Sequence, residues 1–257
     1  LGRPFVKVIK QGDPIPGTTS GVFTELTAFT LRDGVLHIVA GQGSNQKGLF
    51  RWQSGGLTNL VYTNTVAPTG DKFNTVHFTT DESGGAVNFV GEVFFGNPGF
   101  VYGLFRLTNG NISTVFDTAN SYGGIGFFGF GYPVRASNAV VWSSQFITNG
   151  IVQNGIFKWD GVTLQTVVNG STELPGSLGL YAGSHGSYQL AFDGQNIGFI
   201  GTDGNTASRT NGIYRADVNG ALTKLIDGND IYPGTPIRTY HQRNVRFTTA
   251  NVDVSGT

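Results

Sequence analysis

Gly48-Leu49-Phe50-Arg51, Gly103-Leu104-Phe105-Arg106, Gly155-Ile156-Phe157-Lys158 and Gly212-Ile213-Tyr214-Arg215 are four copies of one block: glycine, aliphatic, aromatic, base. They recur at steps of 55, 52 and 57 residues. Self-similarity at a period of about 50 residues marks a radial or stacked array in which each repeat is one supersecondary unit. Around the fourth copy the unit reads as four strands. Tyr188–Phe192 turns at Asp193-Gly194 into Asn196–Gly201, and the loop Thr202–Asn211 leads to Gly212–Ala216. Asn219-Gly220 then turns into Leu222–Ile226. Asp-Gly and Asn-Gly between strands are strong hairpin signals, because both residues tolerate positive φ. The second strands, such as Gly34–Ala40 and Ala139–Trp142, are apolar on both faces, as expected where sheets stack on either side. No segment has a helical period.

Five first strands align: Thr27–Leu31, His77–Thr80, Pro133–Ala136, Tyr188–Phe192 and Val245–Thr249. The fifth repeat is divided between the termini. Val8-Ile9 ahead of Pro16-Gly17-Thr18 matches Leu225-Ile226 ahead of Pro233-Gly234-Thr235. At the other end, Asn251–Thr257 matches Asn196–Thr202. The expectation is an all-β, five-bladed antiparallel β-propeller forming a single domain, 1–257. Its blades are placed at 27–63, 77–117, 133–168, 188–226, and 245–257 joined to 1–10, with Phe5–Ile9 as the outermost strand of the last. That blade lacks a third strand in the repeat logic. An open edge at Val252, Asp253, Val254 and Ser255 is therefore expected to meet a partner chain; residues 1–4, further sequence of the same chain, or a strand or edge of a second copy could fill it, the last giving filaments when the contact does not close.

Composition narrows the function. Charged residues are 12% of the chain, against about 25% in an ordinary globular domain. Lys+Arg and Asp+Glu both number 16, so no basic field exists to hold a phosphate backbone, and nucleic acid is excluded as a partner. The chain has no cysteine, which removes disulfides and thiolate metal sites, and no methionine. With no apolar run long enough to span a membrane, the expectation is a processed, secreted protein, extracellular or at the cell surface.

The unit Gly-Ile-Tyr-Arg…Gly-Ala-Leu-Thr-Lys-Leu-Ile-Asp…Pro-Gly-Thr, Gly212 to Thr235, resembles the repeat of a family of uncharacterised secreted bacterial β-propellers. Many of its members carry a C-terminal sorting or anchoring tail. The resemblance covers essentially the whole chain. It implies fold and compartment, and it brings no catalytic residues and no cofactor.

Candidate chemistry is sparse. Gly124-Ile125-Gly126-Phe127-Phe128-Gly129 satisfies G-x-G-x-x-G, but it opens no helix and reads as an aromatic inter-blade loop. A propeller glycosidase needs converging carboxylates. Most Asp residues here sit in turns, and of Glu25, Glu82, Glu92 and Glu173 only Glu25 lies just ahead of a first strand. His77, His185 and His241 fall where one repeat passes to the next, with Glu25 and Arg243 at related places. These five are the candidate ligand-binding ring at one channel mouth, read either as a site or as loop-bonding polar residues. Asp227-Gly228-Asn229-Asp230 and Asp203-Gly204-Asn205 supply hard oxygens but no complete calcium series, so no metal site is expected. Phe94, Phe95, Phe100 and Tyr102 in the loop Glu92–Gly103, with Phe146 in the next repeat, form a candidate interaction patch. The reading is a non-enzymatic extracellular binding or structural protein, its partner itself or an extracellular polymer, without cofactor. The alternative is a carbohydrate-active propeller, lectin or glycoside hydrolase.

Overall fold

The computed structural model describes residues 6–43, 45–80, 84–95, 99–176, 180–181, 183, 190–202, 211–227 and 230, with Phe95 and Asn211 described in backbone only. The chain is all-β. Its strands are β1 (Glu25–Arg32), β2 (Val35–Gly41), β3 (Lys47–Gln53), β4 (Gly56–Val61), β5 (Phe73–Thr79), β6 (Ala86–Phe95), β7 (Gly99–Thr108), β8 (Asn111–Asp117), β9 (Ser121–Tyr122), β10 (Ile125–Phe127), β11 (Val134–Ala136), β12 (Ala139–Thr148), β13 (Ile151–Trp159), β14 (Leu164–Asn169), β15 (Leu190–Phe192), β16 (Asn196–Thr202), β17 (Asn211–Asp217) and β18 (Leu222–Asp227). They form four antiparallel sheets of propeller-blade topology: β1-β2-β3-β4, β5-β6-β7-β8, β11-β12-β13-β14 and β15-β16-β17-β18, with β9 and β10 added beside β12 in the third. Chain contacts divide them into two units, Leu1–Asn120 with the first two sheets and Ser121–Thr257 with the others.

Each copy of the repeated block lies in the third strand of its sheet. The aliphatic and aromatic residues point to opposite faces and are both buried in the first three copies: Leu49 and Phe50, Leu104 and Phe105, Ile156 and Phe157. The glycine makes room for a ring. A methyl group added at Gly103 would lie 2.6 Å from the Phe105 ring, and one at Gly212 2.9 Å from Tyr214. At Gly155 the rings of Phe146 and Phe157 are 2.9 and 3.1 Å away, and at Gly48 Tyr62 is 2.5 Å away. The residue paired with the glycine on the second strand is small in every sheet: Ala40, Gly91, Ser144 and Gly201. Directly after the aliphatic residue the ladder to the fourth strand slips, between Leu49/Phe50, Leu104/Phe105, Ile156/Phe157 and Ile213/Tyr214. All four sheets share one bulge and a ring over the motif glycine, supplied by the motif aromatic in three (Phe105, Phe157, Tyr214) and by Tyr62, just past β4, in the first.

In the first unit Val39, Leu49 and Val61 of one sheet pack with Phe73, Val76, Val87, Phe89, Phe105 and Leu107 of the other. The opposite face of the first sheet, Ile38, Ala40 and Phe50, is covered by Ile15 and Phe23 with Val8 and Ile9. In the second unit Val141, Ile156 and Val168 pack with Ile197, Phe199, Tyr214 and Ala216. The predicted turns are present: Gly194 of Asp193-Gly194 and Gly220 of Asn219-Gly220 carry φ of 101° and 83°.

Four blade sheets are found among the described residues where the sequence predicts five. Val245–Thr249, the edge Val252, Asp253, Val254 and Ser255, and Leu1–Phe5 lie outside the described residues. Val6–Ile9 is not a strand. Instead of pairing, Val8 and Ile9 lean on the first sheet's core. Gly124–Gly129 opens no helix; it holds the short β10, and Phe127 packs edge-on against Phe157 at 5.0 Å.

Two outcomes test this packing. Gly103→Ala should lose about 1–3 kcal/mol in chemical denaturation, because the Phe105 ring has nowhere to retreat, while Gly56→Ala, whose nearest atom is 3.8 Å away, should be close to neutral. His37 is fully buried, and burial, assisted by the Arg51 charge across the ladder, holds its pKa down at about 4 from 6.5. The unfolded chain then binds the extra proton between those values. Stability should fall by roughly 2–3 kcal/mol as pH drops from about 6.5 towards 4, and His37→Gln should flatten that slope in denaturation midpoints read across the range.

Candidate functional site

The residue just before the motif glycine is Lys47 in the first sheet and Tyr102 in the second. Each ends a row of laterally paired residues at the same end of its sheet: Glu25–Gly41–Lys47 in one, Thr75–Glu92–Tyr102 in the other. Because Gly41 stands between them without a side chain, Lys47 reaches across it to Glu25, Nζ to Oε1 3.2 Å. Backbone of Gln46 and Lys47 closes over Gly41, so no larger residue fits.

In the second sheet the ladder slips between Val76 and Phe78, which leaves His77 as the extra residue of a bulge on β5. Bulges re-aim side chains, and this one turns His77 toward β6 and β7. The imidazole stacks on the Tyr102 ring, centroids 5.8 Å apart and planes at 27°. Its Nε2 stands 3.5 Å from Glu92 Oε2 and has no hydrogen-bond partner. Glu92 is buried. Asn74 Nδ2 donates to its Oε1 at 2.9 Å. Burial pushes the His77 pKa below its ordinary value; Glu92 opposes that shift and the Lys47 charge adds to it. Burial, with the Glu92 charge, raises the Tyr102 phenol.

Above this polar floor stand aromatics. Phe94 pairs with Phe100 across the β6–β7 hairpin, rings edge-on at 5.5 Å, two register positions beyond the Glu92–Tyr102 pair and so on the same face. Phe94, Phe100 and Tyr102 are 49%, 50% and 37% exposed, so their faces are open to a ligand. This segment is a strand extension, not a loop: β6 runs on to Phe95 and β7 starts at Gly99.

Of the predicted ring, Glu25 and His77 fall in the first unit, and Lys47 links them electrostatically. His185, His241 and Arg243 lie outside the described residues. In the predicted aromatic patch, Phe94, Phe100 and Tyr102 are exposed as expected, and the side chain of Phe95 is outside the described residues. Phe146 is a correction. It is core, 1% exposed, edge-on to Phe157 at 4.9 Å, because it faces the space over Gly155. Sequence reasoning missed Lys47, Asn74 and above all Glu92. The available signal was position: Glu92 follows the small residue of its second strand, and Lys47 and Tyr102 precede the motif glycine.

Among the described residues no three His, Asp or Glu side chains gather as a metal site. At the calcium candidate a lysine takes the cation's place: Lys224 Nζ lies 3.2 Å from Asp227 Oδ2 and 2.9 Å from Asp230 Oδ1. Asp203-Gly204-Asn205 is outside the described residues.

No protein-family model matches the sequence, and no curated protein matches it. Among solved structures it is similar to a GH32 beta-fructofuranosidase, BmSUC1, of Bombyx mori, at 12% identity and TM-score 0.40, covering 79% of this chain and 48% of that one. It is also similar to a GH74 xyloglucanase of Xanthomonas campestris, at 10% identity and TM-score 0.39, covering 78% and 38%. The chain thus spans less than half the length of these two structures, and likeness at this level assigns no activity.

The two neighbours of His77 act on it with opposite sign, which a proton-detected titration reads directly. Glu92→Gln should move the His77 midpoint to lower pH, and Lys47→Gln should move it higher.

Proposed function

We propose that this chain is a non-catalytic extracellular binding protein of the five-bladed propeller class, and that its ligand is a carbohydrate held by Phe94, Phe100, Tyr102, His77 and Glu92. In this reading the chain is one domain, and residues 245–257 belong to a fifth blade, as the repeat spacing argues. The observation that carries the ligand reading is the juxtaposition of exposed ring faces with a buried, hydrogen-bonding floor. Pyranose rings offer C–H faces to aromatics and hydroxyls to carboxylate and imidazole, and sites with an apolar body and a few placed polar groups are the common form of small-ligand pockets.

Hydrolysis is the second reading, favoured by one observation: Glu25 and Glu92 flank the Lys47–His77 pair. Binding fits better: Lys47 holds Glu25 through Oε1 and Asn74 donates to Glu92 Oε1, contacts that suit carboxylates accepting hydrogen bonds from a ligand rather than one delivering a proton to a leaving group.

Calorimetric titration with a panel of soluble polysaccharides tests the proposal. One class should bind, and Tyr102→Ala and Phe100→Ala should each weaken it about tenfold or more with the melting temperature retained. Reducing ends should not accumulate. Absence of binding across the panel sinks the carbohydrate reading, and release of new reducing ends moves it to the hydrolase.

A further inference from the structure

Glu92 is buried and has no lysine or arginine within 4 Å among the described residues; its partners there are the Asn74 amide at 2.9 Å and the His77 imidazole at 3.5 Å. The imidazole is a poor counter-ion, since burial disfavours its cationic form, and its Nε2 stops 3.5 Å short of Oε2 without a bond. Lys47 is committed to Glu25 at 3.2 Å. A buried carboxylate with only neutral partners is costly and gains most from a cation.

The surroundings select what kind of cation. Tyr102 is the open wall next to Glu92, and Phe94 and Phe100 continue the same face two register positions outward. Aromatic faces attract ammonium groups through the ring quadrupole, and they offer none of the oxygen ligands that calcium or magnesium require. Too few His, Asp or Glu residues converge here among the described residues to hold a metal ion, which removes the main competitor.

Resting on the carbohydrate reading above, we propose that the preferred ligand is a cationic amino sugar polymer, its ammonium seated between Glu92 and the Tyr102 ring and its pyranose faces on Phe94 and Phe100. The amine donates to Glu92 Oε2, the oxygen that His77 leaves unbonded, and the sugar ring covers the exposed aromatics. Amine-free and N-acetylated chains make the stacking contacts and lose the charged one.

The experiment titrates the whole chain with three oligosaccharide sets of equal length: glucosamine, N-acetylglucosamine and glucose oligomers. Glucosamine oligomers should bind about tenfold or more tightly than either of the others, and added salt should narrow the gap. Glu92→Gln, nearly isosteric and checked for an unchanged melting temperature, should erase the preference. Tyr102→Phe, which keeps the ring and the carboxylate, should retain it. If that variant pair does not fold, competition of wild-type binding by tetramethylammonium reads the same cation site. Equal affinity for all three sets, or a preference that survives Glu92→Gln, overturns the inference while leaving the carbohydrate reading in place. Absence of binding to any set, including the full polysaccharide panel, overturns both.

Discussion

One constraint organises every described sheet: an aromatic ring packed against a glycine of the third strand. The ring can lie flat there only because the glycine has no Cβ and its partner on the second strand is Ala40, Gly91, Ser144 or Gly201. Close packing of this kind tolerates little change in volume, since interiors are as dense as organic crystals. The bulge that follows in the fourth strand increases local twist. Repeating the same contact and bulge gives each sheet the same geometry, which a stacked array of blades demands.

The candidate site grows from that constraint. The residue preceding the motif glycine stands at the rim of the packed zone, one step beyond where the ring excludes water. In the first sheet Lys47 occupies it and crosses Gly41 to Glu25; in the second Tyr102 occupies it and meets Glu92. A bulge on β5 then adds His77 to the second row. Rigid strands on both sides hold these groups in place, so a ligand here meets side chains that need little reordering. The low charge density of the chain gives the isolated Glu92 carboxylate more influence, because few neighbouring charges compete with it.

The blade repeat was legible because its determinants are local. Asp193-Gly194 and Asn219-Gly220 announce their turns through backbone freedom, and the block glycine, aliphatic, aromatic, base announces alternation with a buried ring. Phe94 and Phe100 were legible as exposed, but their segment read as a loop, since cross-strand pairing of two phenylalanines is invisible before register is known. Phe146 was misread for the same reason. Nothing near it in the chain says that it sits over Gly155. Glu92 was passed over because it lies inside an apolar strand with no turn or motif beside it.

Sequence alone determined the all-β class, the period, the strand order within each repeat and the turn positions. Each follows from interactions between residues a few places apart. Only tertiary structure decided which polar groups meet. The Glu25–Lys47 and His77–Glu92–Tyr102 contacts join residues 22, 15 and 10 places apart through ladder register, a bulge and one missing side chain at Gly41. A one-residue slip in any of those ladders would send each side chain to the opposite face. Composition is blind to register, and the site is made of register.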